Sequence, residues 1–372
     1  MGKIVVTVVK TRSEFNKFIK FPWKIYEGNH YWVPPLLFER KFLVDRKKNP
    51  FYKHAQAEFF LAYKNNEIVG RIGAIINHNH NKEHNEKIGF FGFFESIDDQ
   101  SVANELFNTV RKWLKDKGLS VMRGPVNPSV NDEYGLLIDG FDKTPAVMMP
   151  YNPPYYCKLI EAAGFQKAKD LYAHFLEQHK VNREKLSRVS QLVKERNKIT
   201  FRSLDMKNFD EEVKKIHKVY NDAWQYNWGA VKMTDDEFKA LAKSLKPVAV
   251  PDLVIFAEVE SKPIGFALSL PDINIALRYN KKGRLIPGLI RLMLHKKKID
   301  GVRIIALGVL KEYQKSGAAG VLFFETAERA LKLGYNWGEA SWVLEDNVMM
   351  NRNAETMNSV RYKTYRIYEC NT

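Results

Sequence analysis

Cysteine is nearly absent: 372 residues hold two, Cys157 and Cys370. That is too few for a disulfide framework and lacks the paired spacing of a metal knuckle, so a reducing cytoplasm is the expected setting. Long apolar runs are missing too. No stretch of about 18 uninterrupted apolar residues occurs, and the opening run from Ile4 to Val9 is too short for a secretory signal. The expectation is a cytoplasmic protein, or one peripheral on the inner membrane face, that does not span a bilayer. Acidic residues are outnumbered, 43 against 59 Lys plus Arg, for a formal charge of +16, which favours an anionic partner: nucleotide phosphates, nucleic acid or an anionic membrane surface. Two phosphate motifs are also absent. No G-x-x-x-x-G-K-[ST] argues for a nucleoside triphosphatase, and no G-x-G-x-x-G with a following acidic residue argues for a dinucleotide fold. The length suits two domains.

What is present centres on residues 303–334. An apolar run from Ile304 to Leu310 reads as a buried strand, small residues follow, and Val321, Phe324, Ala327 and Leu331 then share one helical face. Gly317, Ala318, Ala319 and Gly320 let the backbone turn closely and aim N–H groups, reinforced by the positive end of the helix, at an anion.

This loop resembles the coenzyme A pyrophosphate loop of the GNAT acyltransferases, whose pattern is Gln or Arg, two residues, Gly, one residue, then Gly or Ala. Gln314, Gly317 and Ala319 meet it. The resemblance implies that Gln314, Lys315, Ser316, Gly317, Ala318, Ala319 and Gly320 hold the pyrophosphate of acyl-CoA, with Leu307 and Val309 on the strand beside the thioester and no metal.

The same order appears earlier in the chain. A strand over 4–9 and an amphipathic helix from Arg12 to Tyr26, with Phe15, Phe18, Ile19 and Trp23 inward, precede a hairpin of Ala57–Tyr63 and Ile68–Ile76. The polar tract from Asn77 to Glu86 holds His78, His80 and His84 but no Cys, and reads as a solvated hairpin loop rather than a metal site. A strand from Ile88 to Glu95, a helix buried on Val102, Leu106, Val110 and Trp113, and a cap at Gly118 follow. Aligning Gly70 with Gly265 and Gly118 with Gly334 gives two copies of one fold, the second longer by roughly twenty residues. In the first copy Ser96-Ile97-Asp98-Asp99-Gln100-Ser101 replaces the glycine loop, and two carboxylates would repel a pyrophosphate, so only the second copy is expected to bind coenzyme A.

The expected fold is therefore α/β, a mixed sheet with flanking helices, built by tandem duplication of the GNAT fold. An N-terminal domain over 1–180 lacks the glycine loop, a charged linker helix covers 181–198, and a C-terminal domain over 199–372 carries the loop. The extra residues fall within 278–298, which hold Arg278, Lys281, Lys282, Arg284, Arg291, Lys296, Lys297 and Lys298 and no Asp or Glu. Leu285, Ile286, Leu289, Ile290 and Met293 form one helical face there. Such a basic amphipathic helix either lies on an anionic bilayer or packs on its own domain with a solvated basic face.

Residues 124–156 are dense in Asn, Gly, Pro and Tyr, and Asn127, Asn131, Glu133, Tyr151 and Asn152 are acceptor-binding candidates across an expected interdomain cleft. Trp224, Asn227 and Trp228 form either core or a substrate wall. With the 338–347 and 362–368 segments, these stretches resemble the double-GNAT bacterial family that includes bacterial ceramide-synthase-like proteins. Membership implies long-chain acyl transfer from acyl-CoA to the amine of a sphingoid base at the inner membrane surface. For such chemistry Glu345, just past a strand over 340–344, is the first base candidate and Glu339 the second. The second copy lacks the family's closing Gly-Phe and the tyrosine before it, which leaves Tyr365 or Tyr362, or water, as acid. Two alternatives stand beside this: a Fem-type peptidyltransferase using aminoacyl-tRNA, which the charge suits and the glycine loop opposes, and a non-catalytic acyl-CoA or membrane-binding protein.

Overall fold

The structure is a computed structural model and describes residues 2–372. It divides into two compact units. Unit 1 holds the chain up to Asp170 with Leu277–Met293 and Lys363–Thr372, and unit 2 holds Leu171–Ala276 with Leu294–Tyr362. The helix Arg183–Asn197 lies within unit 2, and most of the 278–298 insertion belongs to unit 1.

Both units follow one plan. In unit 1 the strands Ile4–Val8, Ala55–Lys64, Glu67–Asn77 and Ile88–Ser96 pair antiparallel in that order. Val121–Gly124 then lies parallel to Ile88–Ser96. In unit 2 Thr200–Ser203, Val254–Val259, Lys262–Pro271 and Gly301–Val309 pair antiparallel, and Trp337–Leu344 joins parallel. A parallel neighbour requires a crossover, and each unit supplies a helix for it, Gln100–Lys115 in unit 1 and Ala318–Lys332 in unit 2. The closing strands are exchanged between the copies. The 171–177 part of the strand Gln166–Glu177 pairs with Trp337–Leu344 in unit 2, while the chain's last strand, Val360–Asn371, pairs with Val121–Gly124 in unit 1 through Tyr368 to Asn371.

The crossover helices explain why the units hold. Val102, Leu106, Val110 and Leu114 recur every four residues, are fully buried, and pack on Ile72, Ala74 and Phe91, each contributing about 1.5–3 kcal/mol by burial. In unit 2, Ala318 and Leu322 pack on Ile255, Ala267 and Val309, and Phe323 and Ala327 on Ile304 and Ala340. The opposite face of that sheet is covered by the helix Phe209–Trp224 through Val213, Ile216 and Val219.

Two local expectations are corrected. The expected helix from Arg12 to Tyr26 is two helices, Arg12–Lys20 and Pro22–Ile25, because Pro22 lacks the N–H that a continuous helix needs. The polar tract is a helix, His78–His84, rather than a hairpin loop. Asn77 caps it by accepting from His80 N at 3.2 Å, Asn85 ends it at φ +52°, and His80 is buried against Phe90.

Candidate functional site

The glycine loop of unit 2 folds as a short 3-10 turn, Lys311–Ser316, that runs into the helix Ala318–Lys332 through Gly317. Gly317 adopts φ +89°, which favours glycine, and a Cβ there would stand 3.0 Å from Val193 Cγ2, tighter than an ordinary contact. Ser316 Oγ donates to Tyr313 O at 2.7 Å and accepts from Ala318 N at 3.1 Å, which fixes the turn. No side chain caps the helix at Gly317, leaving the first-turn N–H groups of Ala319 and Gly320 without an intrahelical partner. Gln314, Lys315 and Gly317 are exposed around them. An uncapped, cornered helix start with a cation beside it fits a diphosphate.

The strand leading to this loop is bulged and then splayed. Gly301 to Ile304 pair with Trp337 to Ala340, and among the described residues no pairing between these strands continues beyond. On its other edge the register slips between Leu268 and Ser269, leaving Ile305 as the extra residue. Residues 305–309 therefore present backbone groups to an opening between parallel strands whose far end is the glycine loop. Leu307 and Val309 turn their side chains toward the loop helix. Trp224 lies on the opposite face of this strand, its ring 2.1 Å from where a Gly308 Cβ would stand, and it stacks on Tyr220. Asn227 N donates to Trp224 O at 2.8 Å, closing the turn that leads to Trp228. The three residues thus sit in unit 2 with the loop, all partly exposed.

Glu339 stands on the partner strand, opposite Arg303. Both are buried, and their side chains form an ion pair at 3.6 Å. Ser341 Oγ and Tyr362 OH both donate to the Glu339 carboxylate, while Arg303 donates to Ser341 Oγ at 2.9 Å and Ser341 O at 3.1 Å. Tyr362 is partly exposed and links the buried carboxylate to the surface. Glu345 follows directly after the strand, partly exposed, in the turn before the helix Val348–Thr356. Tyr365 is fully buried and belongs to unit 1, not to the unit that carries the glycine loop. The signal for the missed members of this cluster was a charge inside an apolar run, since a buried Arg303 requires a buried anion.

Unit 1 repeats the scaffold with its openings filled. Asp99 caps the crossover helix, accepting from Ser101 N at 2.9 Å, and its other oxygen accepts from Lys64 Nζ at 2.8 Å. Lys64 and Ser101 hold its pKa down to about 2, so a fixed internal anion sits where unit 2 leaves bare N–H groups. The strand Ile88–Ser96 bulges at Phe93, φ +52°, as its counterpart does at Ile305. Here the space beside the bulge is occupied: a Cβ on Gly92 would stand 1.7 Å from Val126 O, and Asn127 Oδ1 accepts from Phe93 N at 2.5 Å.

The remaining candidates of unit 1 are tied into this filling. Asn127 Nδ2 donates to Glu133 at 2.9 Å, and Glu133 pairs with Arg40. Burial acts to raise the Glu133 pKa, but the Arg40 guanidinium, Asn127 and Arg71 together outweigh it and hold the group below its ordinary value. Asn152 is buried, accepting from Leu137 N at 2.7 Å and donating to Leu137 O at 3.0 Å. Tyr151 OH donates to Phe141 O at 3.0 Å. Asn131 and Tyr151 are partly exposed. Further in, Tyr26 and Tyr156 both donate to Glu95, whose pKa burial raises despite Arg71 beside it.

No family model matches the chain. It is 36% identical to bacterial ceramide synthase of Caulobacter vibrioides over 98% of this chain and 96% of that protein. It is 34% identical to protein YghO of Escherichia coli over 98% and 95% respectively. Among solved structures it is similar to a tandem GNAT protein from the clavulanic acid biosynthesis pathway, with a TM-score of 0.57 at 8% identity over 100% of this chain and 98% of that one, a likeness of fold.

Proposed function

Because the chain belongs to the tandem GNAT family that includes bacterial ceramide synthase, we propose that it transfers a long-chain acyl group from acyl-CoA to the amine of a sphingoid-base-like or other amphiphilic acceptor at a membrane surface. The observation that carries the reaction class is the uncapped helix at Gly317 standing at the end of a bulged, splayed pair of parallel strands. The acceptor class rests on the full-length likeness to the Caulobacter enzyme.

Acyl-CoA supplies an activated thioester; the chain's own residues bind it, polarise it and move protons. Ala319 and Gly320 N–H, with Gln314 and Lys315, hold the diphosphate at the helix start. The free strand edge at 305–309 would hold the pantetheine arm, and its N–H groups would polarise the acyl carbonyl. The acceptor amine must be deprotonated before attack. Tyr362, bonded to Glu339, is the group through which that proton reaches a buried carboxylate, and Glu345 at the strand end is the second base candidate. As the amide bond forms the thioester C–S bond breaks, and the departing thiolate takes a proton from water. Trp224, Asn227 and Trp228 offer an amphipathic wall on the same unit. Unit 1, its helix capped by Asp99 and its bulge filled by Val126 and Asn127, binds no coenzyme A in this reading.

The test is mass spectrometry of lipid products after incubation with acyl-CoA species of graded chain length and a panel of amines including long-chain amino alcohols. An N-acyl product with stoichiometric release of free thiol is expected. No product with any pair would overturn the reading, and stabilisation by acyl-CoA without turnover would reassign the protein as a binder.

A further inference from the structure

The helix Leu285–His295 is docked the wrong way round for an ordinary surface helix. Of its residues only Gly288 is buried, packed so that a Cβ would stand 3.0 Å from Leu36 Cδ2 and 2.8 Å from Asn280 Nδ2. Leu292 and His295, which follow on the same side, are partly buried. The apolar face looks outward: Ile286 is 71% exposed, Met293 79%, Leu289 51% and Ile290 50%. At 3.6 residues per turn, Ile286 and Ile290 lie about 160° around the helix from Gly288. A helix that packed on its own domain for stability would bury that stripe and leave the cations in water. This one gives its glycine to the protein and its isoleucines to the surroundings.

The contact it does make is rigid. Trp23 Nε1 donates to Lys281 O at 2.8 Å and Leu37 N to Gly283 O at 2.8 Å. Gly283, at φ +59°, is so close to Pro35 O that a Cβ would stand 2.3 Å from it. The helix Leu37–Val44 leaves this same junction and carries Phe38, 48% exposed, and Phe42, 37% exposed, one turn apart. The unit 1 part of the first helix, Leu285–Met293, and the helix Leu37–Val44 thus start from one fixed point with uncovered apolar side chains.

Charge selects the occupant. Residues 278–293, the part of this segment in unit 1, hold five Lys and Arg and no acidic residue. A second copy of the chain meeting this face would bring the two sets of cations together, which opposes self-association. An anionic bilayer offers negative headgroups above an apolar layer that such helices enter by about 5–10 Å, in the same order as the cations and the apolar stripe.

We propose that the helices Leu285–His295 and Leu37–Val44 seat the protein on an anionic lipid leaflet, with Ile286, Leu289, Ile290 and Met293 among the acyl chains and Lys281, Lys282, Arg284 and Arg291 at the headgroups. The purpose of this surface, delivery of the enzyme to the layer where an amphiphilic acceptor resides, rests on the acyltransferase reading; the docking itself does not.

The experiment is co-sedimentation of the full chain with vesicles of phosphatidylcholine alone and of phosphatidylcholine with phosphatidylglycerol, without acyl-CoA. Binding is expected only to the anionic vesicles and is expected to weaken at high salt. The double variant Ile286→Ser/Met293→Ser removes exposed side chains, so its melting temperature should match the parent while vesicle affinity falls about tenfold or more. Lys281→Glu/Lys282→Glu should do the same through charge. Vesicle binding unchanged by both variants overturns the proposal, as does a parent that elutes as a dimer and becomes monomeric in the serine variant. Activity toward a water-soluble short-chain amine should survive the serine variant. A parent that binds vesicles but acylates nothing would sink the acyltransferase reading and leave the docking surface standing.

Discussion

Gly317→Ala, measured against Gly334→Ala, separates a loop built for an anion from a loop that merely turns. Both glycines sit at φ +89°, and at Gly334 no atom lies within 4 Å of a new Cβ. Alanine at either site should cost about 1–2 kcal/mol in backbone strain, or about 2–8 °C in melting temperature for a unit of this size. At Gly317 the methyl also meets Val193 Cγ2 at 3.0 Å, so Val193 and the turn must give by a few tenths of an ångström, and the N–H groups of Ala319 and Gly320 are expected to move with the turn. Losing one hydrogen bond to a charged oxygen costs about 1.5–3 kcal/mol, hence roughly tenfold or more in affinity. In differential scanning fluorimetry at a ligand concentration about a hundredfold over Kd, acyl-CoA should add about 2.7 kcal/mol to the parent and to Gly334→Ala. The same ligand should add no more than about 1.4 kcal/mol to Gly317→Ala. Equal acyl-CoA stabilisation of the two variants would refute the assignment of this loop to the cofactor.

Two further outcomes follow from the side-chain geometry. Tyr362→Phe removes the phenol that donates to Glu339 and should lower kcat by about a hundredfold or more with KM little changed; an unaltered kcat would remove Tyr362 from proton transfer. Burial lowers the His80 pKa from 6.5 to about 4 even though Glu86 bonds to it, so between those values the unfolded chain binds the extra proton. Stability is therefore fully present above about pH 6.5 and declines toward pH 4, by about 3 kcal/mol from this group. Urea unfolding at neutral and mildly acid pH should show that loss, and His80→Gln should shrink it; an identical acid slope in the variant would assign the loss elsewhere.

The loop at Gly317 was legible because everything that defines it is local: an apolar run, a cluster of small residues and a helical stripe within about thirty positions. The duplication was legible for the same reason, since each copy repeats that order. The exchange of closing strands was not, because Gln166–Glu177 and Val360–Asn371 are both long alternating strands, and period 2 says which face a residue takes but not which sheet will receive it. The Glu339 cluster was half legible. A charge in the middle of Gly301–Val309 announces a buried partner, but Arg303 meets Glu339 and Ser341 only through strand register, and Tyr362 arrives from the last strand. The insertion shows the limit most clearly. Its sequence places five apolar residues on one face and leaves open whether that face packs on the domain or turns to a bilayer. A stripe fixes which side chains share a side; which side docks is fixed by where a backbone can come close, and Gly288, the one residue of Leu285–His295 without a side chain, let the helix approach Leu36 with its apolar face left over.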